Sequence, residues 1–82
     1  MADVVIAQER FSYTLFKRGQ QHLLTYLSGG PIETDRTVEL SDELAATVSE
    51  SPKLLHALVH DLLAGSSPVG VSPLPVSTWP AP

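Results

Sequence analysis

Two β-rich runs joined by a short turn constrain the fold of this chain more than any other feature. The runs are residues 10–17 and 22–28, and in the first one apolar and polar side chains alternate as they do along a strand. Gly19, between the runs, can adopt the positive φ required at the first central position of a type II′ turn. The sequence therefore predicts a hairpin with a two-residue loop, in which Arg18 lies opposite Gln21.

This register determines which side chains share the first face of the hairpin. Tyr13 lies opposite Tyr26 and Leu15 lies opposite Leu24, with Phe11 further along the same face. Aromatic and aliphatic cross-strand pairs stabilise a hairpin. We expect this face to pack against a helix.

The second face of the hairpin is only half polar. It pairs Phe16 with Leu23 and also carries Leu27, so it presents an apolar patch unless something covers it. Two interpretations remain open from the sequence. The patch is a docking surface for a partner or for a second copy, or it is covered by the C-terminal tail, the N-terminal strand or a short helix.

Further strands are expected on both sides of the hairpin. Residues 29–31, Gly-Gly-Pro, end the second run, and residues 36–40 alternate again as a third strand. Residues 4–7 form either a separate fourth strand or an extension of the first. The pattern does not decide between these two.

Two helix starts follow the strands. Ser41 precedes two carboxylates and predicts a short helix, whereas Ser51 precedes a proline at the first helical position. Over residues 52–64 the apolar side chains recur at the spacing of an amphipathic helix, and Gly65 is suited to end it.

The expected fold class is therefore α+β, with strands first and helices after them. We expect a small three- or four-stranded antiparallel sheet with one main C-terminal helix packed on one face, plus an extended proline-rich tail. A chain of 82 residues has room for one such domain. The domain is predicted to comprise residues 1–65 and the tail residues 66–82.

The tail is the compositional outlier of the chain. It has no charged residue, and it contains five of the seven prolines and the only tryptophan, Trp79. Prolines keep a segment extended and reduce the entropy lost when it docks, and tryptophan is a frequent interface anchor. We therefore expect Pro73, Leu74, Pro75 and Trp79 to contact a protein partner.

Composition excludes several classes of function. The chain has no cysteine, so disulfides, thiolate zinc sites and thiol nucleophiles are excluded. Its formal net charge of −4 has the wrong sign for a nucleic-acid-binding surface. We expect no membrane association, because no apolar run is long enough to span a bilayer, and a cytoplasmic location follows from the lack of a signal peptide pattern.

Candidate chemistry is sparse. His56 and His60 are four residues apart on the predicted helix, a spacing known from zinc sites, but no third ligand is evident beside them. No pattern of nucleophile, base and acid is recognisable either. We predict neither an enzyme nor a metal or other cofactor, and expect these histidines to lie on a solvated or partner-facing helix surface.

A cluster of acidic residues supports an alternative function. Such a cluster can cover the basic active site of a toxin or nuclease, as in immunity proteins and antitoxins. On solvent-exposed edges, acidic residues more often serve solubility. The acidic patch comprises Glu33, Asp35, Glu39, Asp42 and Glu43.

The function expected first is a non-catalytic protein-binding module, most concretely a small accessory subunit docked on a larger protein. The apolar second face and the tail would then bind the partner together. The residues expected to do so are Phe16, Leu23, Leu27, Pro73, Leu74, Pro75 and Trp79.

Overall fold

The computed structural model describes residues 3–9, 12–28 and 34–80 of the chain. The fold is α+β, as the sequence predicts, but the described part contains five strands instead of three or four, and the short helix before the main one is a regular element of its own. The elements are β1 (Val4–Glu9), β2 (Tyr13–Arg18), β3 (Gln21–Ser28), β4 (Thr34–Leu40), α1 (Asp42–Ser49), α2 (Pro52–Leu63) and β5 (Val71–Pro73).

The five strands form one antiparallel sheet in chain order, β1-β2-β3-β4-β5. β1 is a separate strand because the chain reverses after Glu9, whose carbonyl accepts a hydrogen bond from the Ser12 amide at 3.1 Å. β5 comes from the predicted tail and joins β4 after the two helices. β5 is short and ends in a proline, which has no amide hydrogen to donate. This is tolerated because β5 lies at the edge of the sheet, with no further strand on its outer side.

The predicted hairpin is confirmed, including its register. Arg18 pairs with Gln21, and Tyr13 pairs with Tyr26 as the turn requires. Gly19 adopts φ +61°, the left-handed conformation for which glycine is suited.

The helices cover one face of the sheet, which we call the helix face. Its side chains and those of α1 and α2 form a single core, with Leu15, Leu24 and Leu55 completely buried. Phe11, expected on this face, lies outside the described residues. The core comprises Tyr13, Leu15, Leu24, Tyr26, Val38, Leu40, Ala45, Val48, Leu55, Leu58 and Val59.

Both predicted helix starts are confirmed by their caps. The Ser41 hydroxyl accepts a hydrogen bond from the Leu44 amide at 3.2 Å, and the Ser51 hydroxyl accepts one from the Leu54 amide at 3.4 Å. α2 ends at Leu63, and Gly65 follows with φ +89°. No helix in the described ranges has the length and apolar character needed to cross a membrane.

The opposite side of the sheet, which we call the tail face, is also buried. Phe16 and Leu23 are 0% and 2% exposed, and Thr25 between β2 and β4 is 0% exposed. None of these three residues belongs to the core beneath the helices. The sheet therefore has a second covered layer.

Candidate functional site

The tail lies across the tail face and is hydrogen-bonded to two neighbouring strands. The Leu74 amide donates to the Thr37 carbonyl of β4 at 3.0 Å. Four residues later, the Thr78 amide donates to the Thr37 hydroxyl at 2.9 Å, and the Thr78 carbonyl accepts from the Thr25 hydroxyl of β3. The tail therefore crosses from β4 to β3 over the face that the sequence left open.

Arg18 connects the tail with the start of β1. Its guanidinium donates to the Asp3 carboxylate at 2.8 Å, to the Thr78 hydroxyl at 3.1 Å and to the Trp79 carbonyl at 3.3 Å. The same group lies 5.6 Å from the centroid of the Phe16 ring, a cation–π distance. Arg18 thus covers one end of the apolar patch and holds the end of the tail.

The Arg18 guanidinium is a permanent cation in this setting. The side-chain hydrogen bond to Asp3 is the main cause that raises the pKa of Arg18 further above its ordinary value. The Asp3 side chain is only 3% exposed. This charge-assisted pair fixes the donor that reaches the tail.

Trp79 is held in position and still exposed. Its indole Nε1 donates to the Asp35 carboxylate at 2.7 Å, and its carbonyl accepts from Arg18. Even so, 43% of the residue remains accessible to solvent. A large aromatic side chain that is oriented by hydrogen bonds and open on one side has the properties of an interface anchor.

Further exposed apolar side chains lie on the same side of the sheet. Val5 pairs with Phe16 across β1 and β2, which places it on the tail face, and it is 47% exposed. In the tail, Val76 is 74% exposed. We refer to the exposed side chains of these two residues and of Trp79 together as the tail surface.

A groove runs between α2 and the β1–β2 end of the sheet, on the helix face. It encloses about 540 Å³. His56 lies on its wall, 3.2 Å from the Glu9 carboxylate and edge-on to the Tyr13 ring. The groove is lined by Glu9, Tyr13, Pro52, Lys53, His56, Ala57, His60 and Asp61.

Tyr13 is the titratable group most affected by this environment. Burial raises the pKa of its hydroxyl above the ordinary value, and the adjacent Glu9 carboxylate raises it further. Tyr13 is therefore a neutral hydrogen-bond donor at physiological pH. It closes the floor of the groove and does not act as a base there.

The two histidines considered as weak metal ligands are placed beside this groove. His56 is near Glu9, and among the described residues no cluster of three or more histidine or acidic side chains could hold a metal ion. The described surroundings of His56 and His60 therefore place no third ligand beside them.

The acidic patch is divided between different parts of the molecule. Asp35 binds Trp79, and Glu39 accepts a hydrogen bond from Gln21 at 3.5 Å, both at the tail face. Asp42 lies instead at the start of α1, 3.4 Å from His22 on the helix face, and Glu43 follows it. Glu33 lies outside the described residues.

The sequence-predicted partner contacts are also divided. Phe16 and Leu23 are buried within the chain and Leu27 is partly buried, so the apolar second face is not an open surface here. Of the two interpretations of that face, the structure shows the one in which the tail crosses it. Pro73 belongs to β5, Leu74 bonds to β4, and Pro75 and Trp79 are exposed along the tail.

Three residues of this site were missed by sequence reasoning. The sequence indicates Arg18 only as a turn residue and Val5 only as part of an undecided strand, and it does not single out Asp3. A signal for Val5 existed, because the short run Val4, Val5, Ile6 places apolar side chains on both faces of a strand. Nothing local marks Arg18, whose partners are 15, 60 and 61 residues away.

Comparison with known proteins gives no relative from which to transfer a function: no family model, no curated protein and no solved structure matches this chain.

Proposed function

We propose that this chain is a non-catalytic protein-binding module, a small accessory subunit that docks on a larger protein through the tail surface. The observation that carries the proposal is Trp79, which is hydrogen-bonded at its indole and at its carbonyl and is still 43% exposed. We place the protein in the cytoplasm, as its sequence predicts.

The fixed position of Trp79 matters for affinity. Association loses free energy when rotamer-rich side chains and loops become ordered at the interface. Here Asp35 and Arg18 have already ordered the tryptophan and its backbone before any partner arrives. The tryptophan can therefore contribute its buried area with a smaller entropic loss.

The proposed docking surface lies on the outer side of the tail, further out than the sheet face expected from the sequence. Phe16 and Leu23 act as the buried support beneath the tail, and the outer side of the tail faces the partner. Val76 and Val5 add exposed apolar area around the tryptophan. The two valines have no polar side-chain atom, and the indole N–H of Trp79 is already bonded to Asp35. Removal of water from this surface therefore costs little free energy.

The acidic-inhibitor alternative receives less support from the geometry. An acidic decoy needs its carboxylates on one surface, so that their fields add toward a basic partner. Asp35 and Glu39 instead lie at the tail face, and Asp42 lies at the helix face beside His22. We therefore do not propose it as the function.

The test compares affinity baits in extract from the native source. The full chain is used untagged and immobilised, in the wild-type form and as Trp79→Ala and Val76→Lys. Val76→Lys changes an exposed side chain without a hydrogen bond, so the tail stays docked. Val69→Lys is the matched control, because Val69 is 97% exposed in the loop between α2 and β5.

A partner consistent with the proposal is retained by the wild type and by Val69→Lys, and its binding falls about thirtyfold or more with Trp79→Ala, the loss typical of an interface hot spot. Binary titration of that partner provides the measurement. Equal retention of every bound protein by the wild type, Trp79→Ala and Val76→Lys would refute the proposal.

A further inference from the structure

The outer face of α2 carries charges in a self-complementary order. Lys53, Ala57 and Asp61 are exposed and follow each other at intervals of four residues, so they lie in one row on the helix. At a rise of about 1.5 Å per residue, Lys53 and Asp61 are about 12 Å apart along the axis. Ala57, with a small side chain, lies midway between them.

Both charges are available to a second molecule. Within the described residues, neither Lys53 nor Asp61 takes part in an ion pair or side-chain hydrogen bond. The contact between His56 and Glu9 on this side of the helix is made within the chain. The row of three residues also borders the groove of about 540 Å³, which leaves space beside the helix.

An antiparallel copy of α2 fits this row in one register. Rotation by a two-fold axis through Ala57 places each Lys53 opposite Asp61 of the partner subunit, and no like charges meet. The two alanines meet at the axis. Their small side chains permit the distance of about 8–10 Å between helix axes that is typical of packed helices. Leu54, which is 48% exposed, then lies opposite His60 of the partner subunit.

Other arrangements of the two helices are less favourable. A shift by one turn in either direction removes both ion pairs, and a shift by two turns brings two lysines or two aspartates together. A parallel arrangement in register places lysine against lysine. The charges therefore select one antiparallel register.

We propose that the chain forms a reversible homodimer by antiparallel packing of α2 against α2 of a second copy, with two Lys53–Asp61 ion pairs. The contact is small, because α2 has 12 residues and is about 18 Å long. Stable interfaces bury about 800 Å² on each partner. The dimer is consequently concentration-dependent and weakens as salt screens the ion pairs.

The dimer leaves the proposed binding surface open. α2 packs on the helix face, whereas Trp79 lies on the opposite side of the sheet. Two copies joined through α2 would therefore present two tail surfaces at once, which increases the apparent affinity for a partner with two sites. Only this last consequence rests on the proposed function.

Sedimentation velocity of the purified full chain over a concentration series tests the dimer. The variants Lys53→Asp and Asp61→Lys each place like charges opposite each other, so each alone should dimerise about tenfold more weakly or worse. An equimolar mixture of the two variants restores both ion pairs with reversed polarity. Its dimer should have an affinity within about threefold of the wild type.

Neither substitution endangers the fold. An acid in the first turn of a helix and a base near its end both interact favourably with the helix dipole. Lys17→Asp and Glu43→Lys are the controls for charge, since they make the same charge changes at exposed positions outside α2. Glu43→Lys removes a favourable charge from the first turn of α1, so circular dichroism is used to verify that it is folded. These controls should dimerise like the wild type.

Three results would overturn the proposal. They are a wild-type chain that stays monomeric at millimolar concentration, single variants that dimerise as strongly as the wild type, and a mixture no stronger than its components. Because partner binding is measured separately, through Trp79→Ala, failure of the dimer and failure of the proposed function are distinguished.

Discussion

Besides Arg18, the residues that hold the tail are neutral threonines joined in a cycle of hydrogen bonds. The Thr78 amide donates to the Thr37 hydroxyl, which lies 2.7 Å from the Thr25 hydroxyl, and Thr25 donates to the Thr78 carbonyl. The Thr78 amide and the two hydroxyls each have one hydrogen to donate, and the Thr78 carbonyl accepts. Buried hydroxyls without partners are destabilising, so this cycle makes the tail a required part of the tail face.

Thr25→Val should destabilise the fold by breaking the cycle. Valine has the shape of threonine but removes the Thr25 hydroxyl as a partner of both the Thr37 hydroxyl and the Thr78 carbonyl. Those two groups keep only their mutual contact at 3.2 Å, and we expect a loss of about 1 kcal/mol in the free energy of unfolding. Urea denaturation followed by circular dichroism measures it.

Thr14→Val is the control for this prediction. Thr14 pairs with Thr25 across β2 and β3 and is 3% exposed, yet its hydroxyl makes no hydrogen bond within the described residues. It should be neutral or slightly stabilising. Equal destabilisation by the two variants would show that the cycle contributes nothing.

At the scale of elements, the start of α1 and the start of β5 are held together. The Ser41 amide donates to the Gly70 carbonyl at 2.8 Å, while the Ser41 hydroxyl caps α1. Gly70 has φ +91°, and a Cβ there would lie 2.8 Å from the Ser41 Oγ. One residue pair therefore links the point where the chain leaves the sheet for α1 to the point where it returns to the sheet at β5.

Gly70→Ala should be more destabilising than Gly19→Ala. Both glycines have positive φ, which alone disfavours alanine by about 1–2 kcal/mol. A Cβ at Gly19 meets no atom within 4 Å, whereas at Gly70 it displaces the cap of α1. The expected total for Gly70→Ala is about 2–3 kcal/mol.

Thermal unfolding of the two glycine variants in parallel measures this difference. Comparable losses at the two positions would mean that the Ser41 cap relaxes without effect, and that the contact does not link α1 to β5.

Elements defined by local signals could be predicted from the sequence. The hairpin has a turn glycine with matched pairs, and both helices have capping serines. The sheet order, the separate β1 and the short β5 could not, because they depend on contacts between distant residues. For β5, the proline at its end indicated an irregular tail. A strand forms there because β4 has a free edge with which it pairs.

At the scale of the whole molecule, the sheet lies between two different layers. The helices provide an apolar core on one side. On the other side the tail provides a thin cover that is held by hydrogen bonds. A chain this small buries a limited fraction of its surface, so the second layer contributes substantially to its stability.

Removal of residues 74–82 should expose Phe16 and Leu23 and reduce stability by about 3–6 kcal/mol, the hydrophobic contribution of burying two large side chains. Calorimetric unfolding of the shortened chain measures the loss. The control adds a synthetic peptide of the removed residues 74–82 to the shortened chain and should recover part of the stability. A shortened chain as stable as the full one would contradict the proposed role of the tail.

The candidate site was only partly predictable from the sequence, because it also depends on contacts between distant residues. Trp79 and the prolines stand out by composition, and the apolar half of the second face follows from the hairpin register. That these two features meet within one chain depends on Arg18 and the threonine cycle, whose members are 41 to 61 residues from their tail partners. No periodicity carries such information.

The position of the single tryptophan has a practical consequence. Trp79 lies on the tail side of the sheet, whereas the two tyrosines, Tyr13 and Tyr26, belong to the core beneath the helices. Emission from the indole therefore reports release of the tail, and the near-ultraviolet signal of the tyrosines reports loss of the core. The two layers of the molecule therefore have separate intrinsic optical probes. If the tail detaches before the core unfolds, the indole emission should change before the tyrosine signal does, without any added label.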